Sequence, residues 1–166
     1  GFLDISPRRQ IPVLLVGDRA IWDSHAILVY LAREHGDRGW LPLPSKVMSQ
    51  VMQWIALNLN EGTYGLARAR SIRGQRRDGS LKDTQAIAKV ALETLNRRLR
   101  ESAWLATYDV PTIADIACYP YVAMAPEAGI SLGPYEGVKR WIGRIQALPG
   151  YIELPAYDGK GGPIAE

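Results

Sequence analysis

The chain has 166 residues, 47% of them apolar, and a formal net charge of +3 at pH 7. This size allows one domain or two small ones with a real core, and so small a charge does not by itself indicate nucleic-acid binding. No apolar run reaches the roughly 18 residues that a membrane span needs, and no secretory signal opens the chain. The single cysteine, Cys118, excludes an internal disulfide framework and, among apolar residues, is predicted to lie in the core. These features predict a cytoplasmic protein with neither a membrane nor a nucleic acid as partner.

A β-hairpin is predicted near the start of the chain. Residues 13–16 form an apolar run typical of a strand buried on both faces, and Gly17 and Asp18 make a two-residue turn before a second short run. A lone hairpin is marginally stable, and no helix or strand is predicted ahead of Pro12. We therefore expect a preceding segment to belong to the fold, either lost from the gene product or missing from this sequence.

The residues flanking the hairpin predict a binding site. Proline cannot donate to a sheet ladder, so Ile11–Pro12 marks a sheet edge, a strand start or a cis bond. After the hairpin, Asp23 or Ser24 can cap a helix over residues 24–35. The start of a helix attracts carboxylates, so the two features together suit a small peptide-like anion. A plain strand start and plain helix capping are the simpler alternatives.

The rest of the chain is predicted to be helical. Residues 37–44 hold glycine and proline and read as a linker, and Ser45 can cap the helix that follows. Gly62 and Gly65 should weaken that helix. Further predictions are a solvated loop over residues 70–80, a helix over 83–100, a helix that opens with a capping box at Thr112 and Asp115, a helix over 135–148, and a tail over 151–166. The helix over 83–100 is predicted to turn Ala88, Leu92, Leu95 and Leu99 inward.

Three stretches resemble the cytosolic glutathione transferases. Ser6-Pro7-Arg8-Arg9-Gln10-Ile11-Pro12 is similar to the family pattern Asn-Pro-x-Gly-x-Val-Pro, and residues 23–31 resemble Glu-Ser-x-Ala-Ile-x-x-Tyr-Leu, with Asp23 in place of Glu. Thr112-Ile113-Ala114-Asp115 resembles the Ser/Thr-Ile-Ala-Asp box of the family's helical domain. The resemblance extends over nearly the whole chain, and a bacterial member is the best match.

The resemblance implies an α/β plus all-α fold. Residues 1–36 would form a partial thioredoxin-like domain that lacks its first strand–helix–strand unit, residues 37–44 the linker, and residues 45–166 the all-helical domain with its tail. It implies a cytoplasmic homodimer that transfers glutathione, its co-substrate, to small hydrophobic electrophiles. The alternatives are glutathione-dependent reduction of disulfides or peroxides, and a non-catalytic binding module.

Roles for individual residues follow from the resemblance. Asp23 would pair with the ammonium of the γ-glutamyl unit of glutathione, and Ser24 would bind its carboxylate. The backbone of Ile11 would pair with the cysteinyl unit, and Pro12 would fix that geometry. Gln10 lies where a side chain can reach the glycyl carboxylate; its neighbour Arg9 is the alternative, although it replaces a glycine of the family pattern.

Other candidate residues are less well defined. In the family, the group that stabilises the thiolate comes from the first strand or the loop after it, so we assign no catalytic residue. Tyr64 and Arg68 either face a second-substrate cleft or lie on an ordinary exposed helix face. His25 and His35 show no metal-ligand partners in the sequence and are predicted at the surface, so no metal site is predicted.

Overall fold

The computed structural model describes residues 1–37 and 39–155, and its N-terminal part is a small α/β unit. It contains the helix α1 (Phe2–Ile5), the strands β1 (Val13–Val16) and β2 (Arg19–Trp22), and the helix α2 (Ser24–Glu34). The sequence predicted no helix ahead of Pro12, and α1 corrects this. A single turn is too short to produce a hydrophobic period.

The two strands form the predicted antiparallel hairpin. Val13 pairs with Trp22 and Val16 with Arg19, around a turn in which Gly17 has a φ of 59° that glycine adopts without strain. The prediction of a strand buried on both faces is wrong. Leu15 is 59% exposed, because the sheet has only two strands among the described residues and no second layer covers that face.

The helical part follows a connection without helix or strand among residues 35–37 and 39–44. Ser45 is the first residue of its helix and not the cap, which is Pro44. The segments in chain order are α3 (Ser45–Leu57), a π-helical segment (Asn58–Ala67), α4 (Arg68–Arg73), α5 (Leu81–Glu101), α6 (Ile113–Ala123), a 3-10 turn (Ala125–Ala128) and α7 (Glu136–Gln146).

Helix α5 is the centre of the larger core. Its predicted inward residues Ala88, Leu92, Leu95 and Leu99 are each at most 1% exposed, and they pack in one cluster with Trp141 of α7. A second cluster joins α2 to α3 and α6 through the buried side chains Ala32, Val51, Ile55, Ile113 and Ala114. The N-terminal unit is therefore held against the helical part by apolar contacts.

Gly65 of the π-helical segment serves a close helix contact. A Cβ on Gly65 would lie 2.5 Å from the backbone nitrogen of Ala88, so only glycine lets this segment approach α5 so closely. The helical path continues through Gly62 and Gly65 and through α4 to Arg73. The loop predicted over residues 70–80 is thus limited to residues 74–80, because contact with neighbouring elements extends the helix beyond its local propensity.

Asp115 is the polar centre of the helical part. It completes the predicted capping box with Thr112, and its Oδ1 also accepts from the Leu105 backbone N–H at 3.0 Å and from the Trp141 indole N–H at 2.9 Å. One fully buried carboxylate thus joins the start of α6 to α7 and to the loop before α6.

Two remaining predictions concern Cys118 and the chain end. Cys118 is 1% exposed and lies in the core as predicted, and burial raises the pKa of its thiol. Of the predicted tail, residues 151–155 have neither helix nor strand, and residues 156–166 lie outside the described part. No helix in the described part is both long and apolar enough to span a membrane.

Candidate functional site

A cavity of about 700 Å³ lies between the N-terminal unit and the helical part. One wall comes from the loop before β1, the end of β2 and the start of α2. The opposite wall comes from the π-helical segment, α4, the loop after it and α6. All seven residues singled out from the sequence belong to its lining: Gln10, Ile11, Pro12, Asp23, Ser24, Tyr64 and Arg68.

The loop before β1 is closed by Ser6, which stands where the family pattern has Asn and for which no role is predicted from the sequence. Ser6 is 1% exposed, and its hydroxyl donates to the Gln10 carbonyl at 2.8 Å and accepts from the Gln10 N–H at 3.0 Å. The Ile11–Pro12 bond that follows is cis, one of the three forms that the sequence left open, and Ile11 is 84% exposed. Ser6 therefore sets where Gln10 and Ile11 enter the cavity.

Arg9 explains why the family pattern has a glycine at its position. Its φ is 55°, in the left-handed region that glycine adopts freely and other residues only at a cost of roughly 1–2 kcal/mol. The turn is held by a 2.9 Å hydrogen bond from the Arg9 N–H to the Ser6 carbonyl. The chain thus keeps the turn of the pattern while adding a guanidinium to the cavity lining.

Asp23 caps α2, which settles the choice between Asp23 and Ser24. Its Oδ1 accepts from the His25 backbone N–H at 2.9 Å, and Arg8 donates to its Oδ2 at 3.3 Å. Burial acts to raise the pKa of this carboxyl, but hydrogen bonds from the backbone and ring of His25 outweigh burial and hold the pKa below its ordinary 3.8. Asp23 is therefore an anion at neutral pH, beside an exposed Ser24.

His25 is not the surface residue that the sequence predicted. Its side chain is 15% exposed, and its Nε2 lies 3.1 Å from the Nδ2 amide of Asn58. The same amide donates to the Ala117 carbonyl at 2.9 Å. A carbonyl only accepts, so this atom is the NH₂ group, and His25 Nε2 must accept from it. The proton is then on Nδ1, 3.2 Å from Asp23 Oδ1.

This arrangement links the two walls of the site. Asn58 is 3% exposed and belongs to the π-helical segment, whereas His25 and Asp23 belong to the start of α2. A chain of hydrogen bonds from Asn58 through His25 to Asp23 therefore orients the carboxylate that faces the cavity. No local sequence pattern predicts this link, because Asn58 and His25 are 33 residues apart.

Tyr64 and Arg68 lie on the opposite wall. Tyr64 is 62% exposed, and Arg68 donates from Nη2 to the Asp78 carbonyl at 3.4 Å. Both residues line the cavity, Tyr64 from the π-helical segment and Arg68 from the start of α4. His35 is exposed, as predicted. Within residues 1–37 and 39–155, no three His, Cys, Asp or Glu side chains are grouped as a metal ion would require.

The fold and the cavity define a class of protein: a short α/β unit ending in a cis-proline hairpin and a capped helix, joined across a cleft to a helical unit. Two family models match this chain, the glutathione S-transferase N-terminal domain over residues 1–34 and the glutathione S-transferase C-terminal domain over residues 60–149. The chain belongs to the glutathione S-transferase family.

Individual relatives agree with this assignment. The chain is 32% identical to the disulfide-bond oxidoreductase YfcG of Escherichia coli, over 89% of this chain and 72% of the relative. Among solved structures, a glutathione S-transferase from Pseudomonas fluorescens superposes with a TM-score of 0.82 at 31% identity, over 92% of this chain and 77% of that one. A second one, from Xanthobacter autotrophicus, gives 0.82 at 30% identity, over 93% and 76%.

Proposed function

We propose that the chain binds glutathione in the cavity and transfers it to small hydrophobic electrophiles. The observation that supports this is the meeting of Ile11–Pro12 with the start of α2 in one cavity lining. Glutathione is a tripeptide with two carboxylates, one ammonium and one thiol. An exposed backbone, a helix start and an anionic carboxylate are the groups that such a ligand needs.

Each residue has a distinct part in this proposal. Asp23, held as an anion, pairs with the γ-glutamyl ammonium, and Ser24 binds the neighbouring carboxylate through its hydroxyl and N–H at the start of α2. The backbone of Ile11 pairs with the cysteinyl unit, with Pro12 fixing its direction. Gln10, anchored by its backbone to Ser6, reaches the glycyl carboxylate.

The reaction needs a thiolate, because the thiolate is the nucleophile. Its sulfur attacks an electrophilic carbon, a carbon–sulfur bond forms, the leaving group departs with the bonding pair, and the thiol proton passes to solvent. Tyr64 and Arg68, across the cavity, face the second substrate. We assign no residue of this chain to the stabilisation of the thiolate.

We also propose two domains joined by a linker. Residues 1–36 form the partial thioredoxin-like glutathione domain, residues 37–44 the linker and residues 45–166 the helical domain. The matched ranges 1–34 and 60–149 lie within the two proposed domains. We further propose that the protein is cytoplasmic and forms a homodimer. Sedimentation equilibrium tests the homodimer directly: a single species at the monomer mass over the working range of concentrations would rule it out.

Calorimetric titration of glutathione tests the binding site. Ser24→Ala should weaken binding by about 0.5–3 kcal/mol, since it removes a hydrogen bond to a charged group. Ser49→Ala is the matched control, because Ser49 is exposed on α3 and its hydroxyl bonds only to the nearby Lys46 carbonyl. If folded Ser24→Ala binds glutathione as the unaltered chain does, Ser24 is not in the site.

A second candidate reaction is glutathione-dependent reduction of disulfides. The similarity to a relative described as a disulfide-bond oxidoreductase favours it, and reduction of peroxides would use the same binding face. Turnover of an activated aryl halide would indicate the transferase, and turnover of a small dialkyl disulfide the reductase. Glutathione binding with no ultraviolet absorbance from thiolate and no turnover would instead indicate a non-catalytic binding module.

A further inference from the structure

The wall of the cavity that faces a second substrate is polar. Its side chains come from the helical part of the chain. Six of these eight side chains carry a hydroxyl or a guanidinium group: Thr63, Tyr64, Arg68, Ser71, Arg77 and Tyr121. Only Leu59 and Ala67 are purely apolar. Small-molecule sites are usually lined mostly by apolar side chains with a few polar groups, so this wall favours a hydrophobic molecule that also carries a polar or charged group.

The lining is also strongly cationic. Four guanidinium groups line the cavity, and its one carboxylate is Asp23. Asp23 is already paired with Arg8 and accepts hydrogen bonds from His25. Within the described residues, no carboxylate lies within ion-pair distance of Arg68 or Arg77. The cavity therefore has an excess of positive charge that bound anions would compensate.

Bound glutathione would compensate the positive charge of only one cavity wall. Its carboxylates are bound, in the proposed function, by Ser24 and Gln10, and Arg8 and Arg9 are on that same wall. Arg68 and Arg77 belong to the opposite wall. The hydrogen bond from Arg68 to the Asp78 carbonyl links α4 to the loop that carries Arg77, and both residues line the helical side of the cavity.

We propose that the second-substrate half of the cavity takes an aromatic electrophile that carries a carboxylate or another anionic group, bound by Arg68 and Arg77. This inference rests on the proposed function, and it narrows the hydrophobic electrophile to an anionic one. Leu59 and Tyr121 would contact the ring, while the guanidinium groups would hold the anion through charge-assisted hydrogen bonds. The bond changes are those of the proposed transfer; the anionic group is not altered.

Two product analogues test the inference without requiring turnover. S-(p-carboxybenzyl)glutathione and S-(p-nitrobenzyl)glutathione have nearly the same shape and differ in the charge of one group. In calorimetric titrations of the full chain, the carboxybenzyl conjugate should bind about tenfold more tightly at low salt, equivalent to about 1.4 kcal/mol. Added salt should shrink this preference, because the groups are partly exposed to solvent.

Variants test which residues cause the preference for the carboxybenzyl conjugate. Arg68→Gln should abolish most of the tenfold preference, and Arg77→Gln, in the loop, provides the same test without altering a helix. Arg97→Gln is the matched control, since Arg97 is exposed on α5 and outside the cavity lining. Retention of the preference in both Arg68→Gln and Arg77→Gln would overturn the assignment.

The outcomes separate the two proposals. Equal or tighter binding of the nitrobenzyl conjugate, with glutathione itself bound, overturns this inference and leaves the proposed function standing. If neither conjugate nor glutathione binds, the proposed function fails, and this inference fails with it. Tighter binding of the carboxybenzyl conjugate that depends on Arg68 and Arg77 supports both.

Discussion

Asp115→Ala is expected to be the most destabilising change in the polar part of the core. The carboxylate is fully buried and accepts from the Leu105 and Thr112 backbone N–H groups, at 3.0 and 2.9 Å, and from the Trp141 indole N–H at 2.9 Å. Alanine would leave these three donors without an acceptor.

The size of the loss follows from the number of donors. A buried donor without a partner costs about 1–3 kcal/mol, and a water molecule can enter the space left by the carboxylate and satisfy some of the three. We therefore expect Asp115→Ala to lower the free energy of unfolding by about 3–6 kcal/mol. This is a large part of the roughly 5–15 kcal/mol that is typical of a folded protein.

Urea unfolding followed by tryptophan fluorescence measures this loss. Asp109→Ala is the matched control, because Asp109 is exposed in the loop before α6. Asp115→Asn, which keeps the volume and one acceptor oxygen, should give an intermediate loss and provides a folded variant if the alanine variant does not fold. The reasoning is refuted if Asp115→Ala is no more destabilising than Asp109→Ala, or if it changes glutathione affinity while leaving stability unaltered.

Two further predictions concern the start of α2. His25→Phe keeps an aromatic ring but removes the acceptor of the Asn58 amide and the donor to Asp23. It should therefore lower the free energy of unfolding by about 1–3 kcal/mol and weaken glutathione binding. Urea unfolding and calorimetric titration measure the two effects, and equal effects from His35→Phe, at an exposed position, would contradict the prediction. The pKa of Asp23 is lowered on folding, so its ionised carboxyl stabilises the folded state at pH values above the ordinary pKa of 3.8. This stabilisation is lost as the pH falls through the lower pKa of the folded state. Unfolding curves of Asp23→Asn and the unaltered chain should therefore converge in acid, and a gap that stays constant with pH would disprove this.

Features set by neighbouring residues could be predicted from the sequence. The hairpin turn at Gly17, the capping box at Thr112 and the inward residues of α5 each depend on spacings of a few residues. The structure has all three. The same holds for Ile11–Pro12 and the start of α2, since an X–Pro pair and a helix start are local signals.

Features that join distant parts of the chain could not be predicted. The Trp141 indole N–H reaches Asp115 across 26 residues, and Asn58 reaches His25 across 33. A buried polar side chain is chosen for a partner that only tertiary packing brings near. The sequence predicts only that Gly65 weakens a helix, because the helix it contacts is distant in the chain. In the structure, Gly65 permits the approach of the π-helical segment to α5.

Backbone strain adds a further argument that the cavity is a functional site. Two non-glycine residues of its lining have left-handed φ angles, Arg9 at 55° and Asp23 at 77°. Such residues cost about 1–3 kcal/mol each and cluster at functional sites. Glycine would relieve the strain at either position but would remove a charge from the cavity. The chain instead keeps a guanidinium at one and a carboxylate at the other, two opposite charges that suit the ligand of the proposed function, which has both an ammonium and carboxylates.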